Sequence, residues 1–370
     1  VTSRRIIFFA LLLVAVALFG GRNVVRAWLR SPTADVYAAL TAPHPTRGHV
    51  LKPNAQKIVP VGLYGEFAES WRRSGAKWTA RINPQGYRDR PFGPKTGPRI
   101  VALGDSSTFG WDVAADETWP KVLERALAAS DRPMEVLNLG TPGYSTQQGL
   151  LSLPEVWAQQ PDLLIVAFGH NDESAAPVDR AGKTPTDSEL MPGLAPETAE
   201  HLADRRREIG LVGPARRQPQ KTGPPDDPSK AFEAIRRVPP ERFSENLRVF
   251  VDEARAHGVG VVLVNIGSVD DQYRQAVLAV AREVGVPAIN TLPLLFSKVE
   301  AIKTDPAYAS CRSPLLQELG AATLDRSKNG WLWFSTDLTH PNACGHQVIA
   351  EALAPLVAAA MKREAGRPKG

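Results

Sequence analysis

Three apolar runs of strand length each end in a short polar turn containing glycine, and this pattern limits what the chain can fold into. Residues 99–103 (RIVAL) lead into Gly104-Asp105-Ser106-Ser107-Thr108. Residues 134–139 (MEVLNL) lead into Gly140-Thr141-Pro142-Gly143-Tyr144-Ser145. Residues 162–168 (DLLIVAF) lead into Gly169-His170-Asn171-Asp172. Nearly continuous apolar runs belong to strands buried on both faces, the condition of a parallel sheet covered by helices. Helical spacing between them agrees: 117–130 carries Trp119, Val122, Leu123, Ala126 and Leu127 on one face, and 146–160 is helical with a kink expected at Pro154. The alternation resumes with a helix at 241–257 stopped by Gly258, a strand at 260–266, a helix at 270–284, a short strand at 286–290 and a last helix at 343–362. Strand–helix alternation of this kind predicts an α/β fold with a five-stranded parallel sheet. Parallel strands point the same way, so the three turns share the carboxyl edge, where open α/β sheets bind ligands.

The rest of the chain is organised around that core. Arg4 and Arg5 precede an apolar run, 6–21, of about 16 residues, between a signal-peptide core and a full span. We read residues 1–30 as a membrane anchor or a signal segment. Arginines on both sides of the run leave its orientation open, and either reading exports the rest of the chain to the cell envelope. Residues 31–98 form an irregular N-terminal extension with a few short strands. Residues 99–365 make the main domain, with two insertions. The first, 173–240, holds eleven prolines in 68 residues, far above the usual ~5%, and reads as a lid or a loop, with one helix near 196–209. The second is 297–334. Lys and Arg number 44 against 39 Asp and Glu, a thin excess that argues against a nucleic-acid partner. Cys311 and Cys344 are too few for a disulfide framework or a four-thiolate zinc site. They either form one bridge in an oxidising compartment or remain buried thiols.

A serine nucleophile needs a base and a group to orient that base. Asp337 and His340, three residues apart just before the last helix, fit: the carboxylate holds one imidazole nitrogen and the other accepts the proton of Ser106. His346, one turn on, reads as structural. Donors for a developing oxyanion are expected from the N–H groups of Ser106 and Gly140 and the side-chain amide of Asn171. Each block taken singly also reads as a turn or a helix cap. Their joint presence on consecutive strands does not.

The four blocks Gly104-Asp105-Ser106, Gly140, Gly169-x-Asn171-Asp172 and Asp337-x-x-His340 resemble those of the SGNH (GDSL-type) serine hydrolases, in order. The resemblance covers 99–172 and 241–362. It extends through Asn83-Pro84-Gln85-Gly86-Tyr87-Arg88-Asp89, which is similar to a segment of bacterial envelope members. It implies a flavodoxin-like three-layer α/β/α sandwich, the SGNH hydrolase fold, with strand order 2-1-3-4-5. It also implies Ser106 as nucleophile, His340 as base, Asp337 as its orienter, and an oxyanion hole of Ser106, Gly140 and Asn171. Ser107, where relatives often carry an apolar residue, and the long 173–240 insertion depart from the pattern. The expected function is hydrolysis of acyl esters, short or acetyl, on envelope carbohydrate or lipid, without metal or organic cofactor. The alternatives are an acyltransferase of the same fold, a non-catalytic envelope binding protein, and a metal phosphoesterase using Asp105, His170, Asp172 and His340.

Overall fold

The computed structural model describes residues 32–63, 71, 73–128, 133–176, 185–191, 235–312 and 330–365. The segment 1–30, the helix expected near 196–209 and much of both insertions lie outside the described residues. Nine strands are described. Four lie in the extension: β1 (Thr41–His44), β2 (Gly48–Leu51), β3 (Gln56–Pro60) and β4 (Lys77–Arg81). Five follow: β5 (Arg99–Gly104), β6 (Glu135–Gly140), β7 (Leu163–Ala167), β8 (Gly260–Asn265) and β9 (Ala288–Asn290). The last five form one sheet in the order β6-β5-β7-β8-β9, parallel throughout. Counted from β5, that is the expected 2-1-3-4-5.

The sheet is buried on both faces because its side chains alternate between two apolar cores. Ile100, Ala102, Leu163, Ile165, Ala167, Val262 and Val264 face one core. The helices Trp119–Ala128 and Ala343–Ala365 complete it with Trp119, Leu123, Val348, Ile349 and Leu353. Val101, Leu103, Leu137, Leu139, Leu164, Val166, Val261 and Leu263 face the other. Phe243, Leu247, Phe250, Tyr273 and Val277, from the helices Pro240–Ala256 and Asp271–Val284, pack there. Each fully buried side chain of this kind contributes about 1.5–3 kcal/mol. The final helix is long and apolar enough to cross a membrane, yet Cys344, Val348, Ile349, Ala350, Leu353 and Val357 are buried within the protein.

Two expectations change in detail. The stretch 146–160 is two helices, Thr146–Leu150 and Leu153–Ala158, because Pro154 sits in the first turn of the second, where no N–H is required of it. The extension is more ordered than its turn-rich sequence implies. It opens with a helix, Pro32–Leu40, and makes two antiparallel pairs, β1 with β2 and β3 with β4. It adds Val36, Leu40, Val59, Trp78, Ala80 and Ile82 to the first core. Arg88 fastens it to the rest. Its guanidinium donates to the carbonyls of Phe109, Gly110, Thr79 and Val113 and lies over the rings of Trp78 and Phe109. Burial pushes Arg88 down to about 9, partly offset by Glu117 and Asp116. Asp89 accepts the N–H of Asn138 in β6 and pairs with Lys121. The segment 83–89 thus ties together the loop after Ser106 and the second strand of the sheet.

Cys311 and Cys344 form a disulfide, with Cα atoms 5.0 Å apart. It joins the described part of the second insertion to the first turn of the final helix. Closing a loop of this length stabilises a fold by roughly 3–4 kcal/mol in the chain-entropy model.

Candidate active site

The carboxyl edge of the sheet brings Ser106, His340, Asp337 and Asn171 together. Ser106 opens the four-residue helix Ser106–Phe109 directly after β5. Asp105 caps that helix, accepting the N–H of Ser107 at 2.8 Å, which fixes where Ser106 enters it. His340 and Asp337 come from the turn before the last helix. Leu338 between them takes a left-handed conformation, φ 71°, unfavourable for a bulky residue. The Asp337 side chain compensates: Oδ1 accepts the N–H of Thr339 at 3.0 Å and of His340 at 2.7 Å. Asp337 Oδ2 lies 2.6 Å from His340 Nδ1, and His340 Nε2 lies 2.8 Å from Ser106 Oγ. An ionised carboxylate only accepts, so Nδ1 carries the proton and Nε2 is left to accept from the serine hydroxyl.

Electrostatics favour the same assignment. Burial works against a charged imidazole, but the carboxylates of Asp337, Asp112 and Asp105 outweigh it and hold His340 above its ordinary 6.5. Burial also opposes ionisation of Asp337. His340 and the two N–H donors more than compensate, and the carboxyl stays below its ordinary 3.8. Asp112 accepts from Gly62 N and Trp78 Nε1, both at 3.1 Å, and is pushed by burial up to about 6. Trp111 packs beside the imidazole, ring centroids 6.1 Å apart, and Tyr37 of the extension stacks on Trp111 at 5.9 Å. His346 plays a structural part: its Nδ1 accepts the N–H of Trp119 at 3.1 Å, and burial lowers it to about 3.

Asn171 reaches the turn that carries Ser106. Its Nδ2 donates to Asp105 Oδ2 at 3.2 Å, one residue from Ser106, while its Oδ1 accepts from Arg237 Nη1 at 3.4 Å. An amide nitrogen carries two hydrogens, so one remains for a ligand. The Ser106 N–H has no partner among the described residues. Gly140 requires a correction. Its N–H donates to Asn138 Oδ1 at 2.9 Å, and the residue ends β6 opposite Gly104. It is glycine for a packing reason: a Cβ there would lie 2.2 Å from the backbone nitrogen of Phe109. Further along the turn, Thr141 donates to Gly104, Pro142 has no N–H, and Tyr144 donates to Thr141. Gly143, at φ 82°, is the one residue from 140 to 144 whose N–H has no partner among the described residues. The missing proton on Pro142 and the continuation of the strand through Gly140 were the available signals.

The four groups of the metal alternative turn to different partners. Asp105 caps its helix, Asp172 Oδ1 accepts from Thr146, His170 meets Glu173 at 3.3 Å, and His340 joins Asp337 and Ser106. Among the described residues no group of three or more His, Cys, Asp or Glu stands together as a metal site.

A parallel sheet in the order 2-1-3-4-5, with these blocks on its carboxyl edge, defines an SGNH-type α/β/α sandwich. The chain belongs to the GDSL-like lipase/acylhydrolase family, whose model matches residues 102–348. An arylesterase from Vibrio mimicus is 33% identical over 75 residues, 20% of this chain. The match spans 38% of that protein's length. Among solved structures, a putative lipolytic protein of the G-D-S-L family from Desulfitobacterium hafniense is 15% identical, with 70% of this chain and 98% of that one covered and a TM-score of 0.37. An acetylxylan esterase from Geobacillus stearothermophilus is 17% identical, with 71% and 94% covered and a TM-score of 0.39.

Proposed function

We propose that this chain is a serine esterase that hydrolyses short acyl esters on cell-envelope carbohydrate or lipid. The observation that carries the reading is the unbroken line from Ser106 Oγ through His340 to Asp337, at 2.8 and 2.6 Å. Ser106 Oγ attacks the ester carbonyl carbon as His340 Nε2 takes its proton. Negative charge builds on the carbonyl oxygen, which the N–H groups of Ser106, Gly143 and Asn171 receive. The intermediate collapses, breaking the bond to the alcohol oxygen, and His340 returns the proton to the departing alcohol. Water then attacks the acyl-serine, again giving a proton to His340, and collapse releases the carboxylic acid and restores the serine.

Preference for a short acyl chain is a further part of the proposal, decided by kinetics on esters of different chain length. The arylesterase similar over 75 residues is in keeping with an ester substrate. An envelope location, with the catalytic domain outside the cytoplasmic membrane and residues 1–30 as anchor or signal, draws support from Arg4 and Arg5 before the apolar run 6–21. The Cys311–Cys344 disulfide supports it too, because such bonds persist in oxidising compartments. The test is hydrolysis of p-nitrophenyl acetate, butyrate and octanoate. Acetate is expected to exceed octanoate at least about tenfold in kcat/KM, since a chain that does not fit loses transition-state binding. Octanoate as the better substrate would overturn the short-acyl reading.

A further inference from the structure

Two segments outside the sheet meet at the oxyanion side of the site. Arg237 belongs to the end of the proline-rich stretch, and its backbone is fixed beside the Asn171 turn. Arg237 N–H donates to the carbonyl of Ser174, Val238 N–H to Asp172, and Asp187 N–H to Arg237 itself, at 2.8, 3.2 and 2.6 Å. The side chain then spreads over four partners. Nε and Nη2 grip Asp187 at 3.2 and 2.8 Å. Nη2 also reaches Gln148 Oε1 at 2.9 Å. Nη1 reaches the carbonyl of Gly143 at 3.0 Å and Oδ1 of Asn171 at 3.4 Å. From the opposite side, His49 of the extension donates through Nε2 to the carbonyl of Pro142 at 2.8 Å. That carbonyl belongs to the peptide bond that carries the Gly143 N–H.

The partners explain why arginine stands here. A planar guanidinium presents two edges at once, one for the Asp187 carboxylate and one for the two oxygens of the turn; an ammonium group has no such fork. Guanidinium is a donor only, so contact with it turns the oxygen of Asn171 towards Arg237 and its nitrogen towards Asp105. The same edge fixes the carbonyl of Gly143 and with it the plane of the turn. The Asp187 carboxylate balances the charge, so orientation is the larger part of what Arg237 supplies. We infer that Arg237 is a positioning residue for the oxyanion hole: held by Asp187, it orients Asn171 and the Gly143 turn so that both present N–H groups to the carbonyl oxygen of the ester. The inference rests on the serine-esterase reading above and adds to it a role for residues 185–191 and 235–240.

The experiment compares the full chain with Arg237→Met, Arg237→Lys and Asp187→Asn, with Ser106→Ala as control. The readouts are kcat and KM for p-nitrophenyl acetate, and inhibition by an aryl trifluoromethyl ketone, which forms a tetrahedral adduct with an active serine. Arg237→Met is expected to lower kcat about 10²-fold, the scale of losing an oxyanion donor. KM should stay within about threefold, and the ketone should bind more weakly by a factor similar to the loss in kcat. Arg237→Lys keeps the charge without the fork and is expected to lose at least about tenfold in kcat. Asp187→Asn should fall between wild type and Arg237→Met. Wild-type kcat in Arg237→Met, or a loss confined to KM with unchanged ketone affinity, would overturn the inference. If far-UV circular dichroism shows Arg237→Met unfolded, Arg237→Lys decides in the same terms. An inactive Ser106→Ala beside a fully active Arg237→Met removes the inference alone. An active Ser106→Ala removes the esterase mechanism beneath it.

Discussion

Ser106→Ala is expected to lower kcat for p-nitrophenyl acetate on the order of 10⁶-fold, the scale seen when a triad serine is removed. The side chain is small, helix-capping by Asp105 does not involve Oγ, and Ser106 Oγ has His340 Nε2 as its partner. The substitution therefore removes one oxygen and leaves the fold, the cap and the oxyanion donors in place. A residual rate above the uncatalysed reaction is expected, because the donors still bind the carbonyl oxygen. KM should move little. Stopped assays over a range of ester concentrations spanning KM, with folding checked by thermal unfolding, measure both. Turnover near the wild-type level would mean that another group carries the attack.

Asp337→Asn is expected to cost about 10⁴ in kcat, by a different route. Asp337 Oδ2 accepts a hydrogen bond from the protonated Nδ1 of His340, which leaves Nε2 able to accept from Ser106. An amide at this position can turn its N–H₂ to Nδ1, and the ring proton then moves to Nε2, facing Ser106 with a donor where an acceptor is needed. The substitution also shifts the pH profile. An imidazole acting as base works only when neutral, and in the wild-type chain His340 is held above 6.5 by Asp337, Asp112 and Asp105 against the effect of burial. The wild-type kcat/KM is therefore expected to be low in acid and to rise with pH, with its midpoint above 6.5. Removing the carboxylate leaves burial to act with less opposition, so the imidazole pKa falls and the midpoint moves to lower pH. A full pH–rate profile of both proteins tests this. An unchanged midpoint, or a wild-type midpoint below 6.5, would argue against Asp337 as the orienter.

The parts of the molecule that the sequence made readable are those where one physical constraint acts alone. Strands β5 to β8 are nearly continuously apolar because both faces are buried, and their short length and the glycine turns that follow distinguish them from buried helices. Asp337 and His340 were legible because three residues is the reach of a carboxylate across one turn. Gly140 was misread because two glycines share its turn. The choice between them depends on where an N–H points, and the Asn138 side chain, two residues back, decides that. Arg237 left no pattern at all. It lies in a stretch whose prolines and charges suggest only a loop, and its partners Asn171, Gly143, Gln148 and Asp187 are 50 to 94 residues away in sequence. The extension was underestimated for a similar reason. Its strands are four or five residues long, too short for a period to stand out, and tertiary contacts such as Arg88 with Phe109 and Gly110 hold them.

The most direct test of the account is to treat the full chain with a fluorophosphonate, which phosphonylates an activated serine and releases fluoride, and to read the product by intact mass and peptide mapping. The account predicts one adduct per chain, on Ser106, absent from Ser106→Ala and slow to form on Asp337→Asn. A folded chain that takes no adduct, or an adduct carried by any other residue, would contradict it.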